Sequence, residues 1–77
     1  MSMQIARVLD LKGLSCPLPI VKTAQAFKEL ASGDLLEALA TDPGSVADFN
    51  AWCRSTGHEL VEQTETDGVY RFVIRKK

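Results

Sequence analysis

The chain has 77 residues and a formal net charge of -1, which leaves room for one thin core and argues against a nucleic-acid binder held by phosphate neutralisation, since that needs a basic face. A hydrophobic fraction of 45% and a charged fraction of 25% are those of an ordinary globular protein. No apolar stretch approaches the ~20 residues that cross a bilayer, and residues 1–10 lack the basic and apolar regions of a secretory signal, so the expectation is a cytoplasmic protein with no membrane contact.

Residues 5–9 are apolar and β-branched enough for a strand, and 10–15 form a loop with Gly13 as its flexible point. A helix is predicted over 17–31, with Ile20, Val21, Ala24, Phe27 and Ala31 at helical spacing and Gly33 as its stop. The run 35–40, interrupted only by Glu37, suits a central strand. A second helix is predicted over 42–55, with Asp42 as its N-cap, Pro43 as its first residue and Gly57 as its stop; Val46, Ala47, Phe49, Trp52 and Cys53 supply its apolar side. Residues 58–65 read as an edge strand, Asp67-Gly68 as a two-residue hairpin turn, and 69–75 as the last strand, with Tyr70, Phe72 and Ile74 on one face and Arg71, Val73 and Arg75 on the other. The order is βαβαββ. A right-handed βαβ crossover followed by a hairpin predicts an α+β, two-layer sandwich: a four-stranded mixed sheet with both helices on one face, as a single domain over 1–77.

The candidate for chemistry is Cys16. The slot before the proline that opens helix one would, for stability, hold Ser, Asp or Asn; it holds a cysteine, a poor cap. A helix N-terminus with no acid in the first turns of its own helix favours thiolate, and Lys12 and Lys22 are close in sequence. Pro17 and Pro19 remove two N–H donors and Asp10 opposes the effect, so a modest lowering of the Cys16 pKa is expected. Pro17 and Pro19 also stiffen the chain behind an outward-facing sulfur, which suits a group handed between proteins. The other candidates read more simply. Cys53, on an apolar helical stripe, is expected as a small buried hydrophobe, with a role as a second thiol the lesser reading. His58 is a lone histidine beyond a helix stop and is read as structural. Two cysteines and one histidine fall short of a usual zinc set, so no metal is expected.

The run Asp10-x-x-Gly13-Leu14-x-Cys16-Pro17-x-Pro19 resembles the signature of the TusA family of sulfur carriers, also called SirA-like proteins. The resemblance continues through Asp42-Pro43, Trp52-Cys53, Gly57-His58-Glu59-Leu60 and Thr66-Asp67-Gly68, and so covers essentially the whole chain. It implies a two-layer α/β sandwich whose Cys16 carries sulfane sulfur as a persulfide without metal or cofactor. Asp10, Gly13, Pro17 and Pro19 are then the supporting motif. The implied donors are a cysteine desulfurase, a rhodanese or a DsrE-type protein. The implied destinations are tRNA thiolation, molybdenum-cofactor biosynthesis, or sulfur oxidation with heterodisulfide-reductase-like partners. Such a protein is a stoichiometric sulfurtransferase carrier rather than a stand-alone catalyst.

Asp42 matches a position that contributes to donor docking in relatives. Topology puts both helix N-termini at one edge of the sheet, which makes Lys22 and Asp42 the expected docking residues. Val21 and Ala24 stand where bulkier or basic residues occur in the family, so donor choice is left open. The rival reading is a regulatory or protein-interaction module in which Cys16 only tunes a contact; a Cys16–Cys53 thiol-disulfide switch is a third.

Overall fold

In the computed structural model, which describes residues 4–77, six elements follow in the expected order. They are β1 (Ile5–Leu11), α1 (Leu18–Phe27), β2 (Leu35–Ala40), α2 (Ser45–Thr56), β3 (Glu59–Thr66) and β4 (Val69–Arg75). The sheet order is β1-β2-β4-β3, with β1 parallel to β2 and the other two pairings antiparallel. Asp67 and Gly68 both take positive φ, 51° and 79°, as a two-residue type I′ turn requires.

The core lies between the sheet and the helices. Leu36, Ala38 and Ala40 of β2 and Phe72 and Ile74 of β4 meet Ala26 and Phe27 of α1 and Phe49 and Cys53 of α2 in one cluster, so both helices cover the same sheet face. The Phe49 and Phe72 rings stack with centroids 4.4 Å apart, fastening α2 to β4. Each such fully buried side chain contributes about 1.5–3 kcal/mol of transfer free energy. On the opposite face Arg71 donates to Glu37 at 3.0 Å and to Glu62 at 2.6 Å, tying β2, β4 and β3 together beside the buried Val73.

Four local expectations are corrected. Strand β1 runs on to Leu11, because Asp10 and Leu11 keep pairing with Leu39 and Ala40. Helix α1 ends at Phe27 rather than near Ala31, because residues 28–30 tighten into bonds three residues back; Lys76 Nζ then takes the carbonyls of Phe27 and Leu30. The buried stripe of α1 is Pro19, Thr23, Ala26 and Phe27, with Thr23 satisfied by the Pro19 carbonyl at 2.8 Å. At 100° per residue Val21 falls on the far side of that stripe, and it is exposed, as is Ala31 beyond the helix. In α2 the stripe is Ser45, Phe49 and Cys53, while Ala47 is exposed.

Candidate functional site

Each helix begins a residue or more after the predicted position, and one contact joins the two starts. Helix α1 starts at Leu18 with Pro17 in the capping position, so Cys16 lies one residue before the cap. Helix α2 starts at Ser45 with Gly44 before it. Asp42 bends its carboxylate two ways. One oxygen, Oδ1, accepts the Gly44 N–H at 3.2 Å, and the other, Oδ2, accepts the Cys16 N–H at 2.8 Å. One position earlier, Thr41 Oγ1 accepts the Gly13 N–H at 2.9 Å. The loop that opens α2 therefore holds the loop that opens α1. This juxtaposition follows from the parallel β1–β2 pair, whose carboxyl ends lie at one edge.

The supporting residues fall into two groups. Gly13, with φ of 85°, takes a backbone conformation that few side-chain-bearing residues tolerate. Pro19 is buried and its carbonyl serves Thr23. Asp10 organises the loop locally: its carboxylate accepts the Lys12 N–H at 3.1 Å and pairs with the Lys12 ammonium at 3.8 Å. Lys22 is exposed and lines a cleft of about 280 Å³ between β1 and α1, with Asp10, Gln25 and Glu29 among its neighbours. On the outward side of α1, Leu18 and Val21 are 44% and 43% exposed, an apolar pair in the turn that follows Cys16.

The Cys16 side chain is exposed, and its Cys16–Pro17 peptide is cis. The expected lowering of its pKa is overturned. The Asp48 carboxylate beside the thiol, partial loss of water and the negative charges of Asp48 and Asp42 all push the thiol up. Counting acids along helix one alone missed this, because Asp48 belongs to the first turn of the other helix. The signal was available: if both helices start at one edge, an acid in either first turn faces the same thiol. Thr41 was missed for the same reason.

Cys53 sits in the core cluster at 6% exposure, and burial pushes its thiol up. His58 stacks on Phe27 at 4.7 Å and lies against Trp52 at 5.1 Å, and its Nδ1 accepts the Lys77 N–H at 3.0 Å. Burial, with the charges of Lys76 and Lys77, pushes its pKa down. Its contacts are those of a structural residue.

Two helices on one face of a four-stranded mixed sheet, with an exposed thiol where both helices begin, define a small two-layer α/β protein with one accessible cysteine. The family model described as sulfurtransferase TusA matches residues 7–76, and the chain belongs to this TusA family. It is 50% identical over 74 residues to the putative sulfur carrier protein YrkI of Bacillus subtilis, covering 96% of this chain and 99% of that one. It is 47% identical over 68 residues to the sulfur carrier protein TusA of Allochromatium vinosum, covering 88% and 90%. Among solved structures, a SirA-like protein from Desulfitobacterium hafniense superposes with a TM-score of 0.80 at 25% identity, covering 90% of this chain and 95% of that one. No helix among the described residues is long and apolar enough to cross a membrane.

Proposed function

We propose that this protein is a sulfur carrier in which Cys16 accepts one sulfane sulfur as a persulfide and passes it to a protein thiol. The observation that carries the reading is the placement of Cys16: an exposed thiol at the shared start of both helices, its backbone bonded to Asp42, while the chain's other thiol is buried in the core. Membership of a family whose relatives are named sulfur carriers supports it.

In loading, the Cys16 sulfur attacks the outer sulfur of a donor persulfide. The donor's S–S bond breaks, the new Cys16 S–S bond forms, and the donor sulfur leaves as thiolate. Asp48 and Asp42 push the thiol up in pKa and so hold the proton on Cys16 until the attack, after which it goes to the departing donor thiolate or to water. In delivery, an acceptor thiolate attacks the outer sulfur and Cys16 leaves. Both steps exchange one S–S bond for another, so no external oxidant enters.

A cysteine desulfurase, a rhodanese or a DsrE-type protein is the proposed donor. The acceptor serves tRNA thiolation, molybdenum-cofactor biosynthesis or sulfur oxidation. Docking is assigned to the exposed face of α1 that starts beside Cys16, through Leu18, Val21 and Lys22. The test is transfer of labelled sulfane sulfur from donor to carrier to acceptor. Cys16→Ser is expected to stay folded and to abolish both loading and delivery. A serine variant that carries label as well as the unmodified protein would remove Cys16 from the role and overturn the proposal.

A further inference from the structure

The segment that presents Cys16 is poor in backbone anchors of its own. Pro17 and Pro19 donate no N–H, so the first turn of α1 cannot grip the preceding loop through those positions. The Leu14 N–H turns back to the Leu11 carbonyl at 3.2 Å, which closes a local turn and fixes nothing beyond it. The Leu18 N–H reaches back across Cys16 to the Ser15 carbonyl at 2.9 Å, while the N–H groups of Gly13 and Cys16 cross to the other junction, to Thr41 Oγ1 and Asp42 Oδ2. Asp42 is itself held, since its second oxygen accepts from Gly44, and the Ser45 N–H closes on the Asp42 carbonyl at 2.9 Å.

We infer that Asp42, assisted by Thr41, is a positioning residue: its carboxylate fixes the Cys16 backbone at the start of α2 so that the sulfur is presented outward in one place. This deepens the sulfur-carrier reading and rests on it for the consequence in transfer. Both carboxylate oxygens of Asp42 already accept one bond each inside the molecule, so this intramolecular role stands beside the docking role expected of Asp42.

Bond and charge are separable by substitution. Asp42→Asn removes the charge and keeps one acceptor oxygen, enough for the Cys16 N–H or the Gly44 N–H but not for both; Asp42→Ala removes both acceptors. Cys16 faces two carboxylates, Asp42 and Asp48, so both variants are expected to move the Cys16 alkylation profile to lower pH. Only Asp42→Ala is expected to free both junctions. Amide hydrogen exchange at Cys16 and Gly44, followed by NMR, reads this directly: about tenfold or more faster at both in Asp42→Ala, and within about threefold of the unmodified protein at one of the two in Asp42→Asn. Loading is then measured with glutathione persulfide, which has no protein surface to dock. The rate constant for the fully ionised thiol is expected to fall at least about threefold in Asp42→Ala.

Cys16 exchange in Asp42→Ala as slow as in the unmodified protein would overturn the inference, as would both amides exchanging alike in the two variants. So would faster exchange in Asp42→Ala with unchanged loading. If Asp42→Ala does not fold, the near-isosteric Thr41→Val carries the test through the Gly13 amide, where exchange as slow as in the unmodified protein would be the contrary result. An unmodified protein that takes up no sulfur from glutathione persulfide would sink the carrier reading instead, and the exchange results would still decide whether Asp42 holds the loop.

Discussion

Cys16 and Cys53 are the same side chain placed in two regions that treat it oppositely. Cys16 stands in a loop at the joint start of the helices, exposed, with its backbone held and two carboxylates facing it. Cys53 stands on the inner stripe of α2 between sheet and helix, at 6% exposure. Both thiols are pushed up in pKa, one chiefly by the neighbouring Asp48 carboxylate and the other by burial. The comparison teaches that a raised pKa does not by itself rank cysteines for function. Access and the origin of the shift do: a shift made by surface carboxylates can be cancelled by a partner's cation or by salt, and a shift made by a packed core persists until the core opens.

The sharpest break between the two regions is access. Iodoacetamide under native conditions is expected to add one group, at Cys16, and a second only after denaturation. Native labelling of Cys53 at a comparable rate, read by peptide mass, would dissolve the contrast. The next is stability. Cys53→Ala leaves a cavity in the core cluster and is expected to cost roughly 1–2 kcal/mol in urea unfolding. Cys16→Ala removes an exposed side chain and is expected to stay within about 0.5 kcal/mol of the unmodified protein.

The smallest effect is in pH. Because the Cys16 pKa lies above the ordinary thiol value, less thiolate is present at neutral pH than in a free cysteine, and alkylation is slower there. Asp48→Asn is expected to move the profile to lower pH and to speed alkylation at neutral pH, and added salt to do the same to a lesser degree. For Cys53 the linkage has a definite sign. Its folded-state pKa is raised, so the stability gained from keeping it a thiol is complete below the unfolded value of about 8.5 and is lost as pH rises through the folded one.

The elements and their order were legible in the residues because each rests on local signals: the apolar run of β2, Gly57 after α2, the Asp67-Gly68 turn before β4. Cys16 stood out as a cysteine where a capping residue was due, and the family resemblance covered the whole chain. What was not legible is what two distant segments do to each other. Asp42 reads as a cap because that is its best local use, and one oxygen does bond the Gly44 N–H; the second, bonded to Cys16 26 residues away, has no local signal. Val21 reads as core by spacing alone, since a helical period fixes relative positions on the cylinder and not which side meets the sheet. Asp48 needed the two junctions to be placed side by side before its charge could be weighed against the Cys16 sulfur.

The far end of α1 has a consequence of a different kind. That helix carries no basic residue in its last turn, and its final carbonyls are met instead by Lys76 Nζ, from Phe27 at 2.7 Å and Leu30 at 2.5 Å. The Lys76 carbonyl in turn accepts from Gly33, and its N–H donates to the Asp34 carbonyl. These bonds join positions more than 40 residues apart along the chain. On the ribosome, where the chain emerges from its N-terminus, α1 is available early but its end stays unfinished until Lys76 has cleared the exit tunnel. Completion of the first helix is therefore timed by a residue made more than 40 positions later.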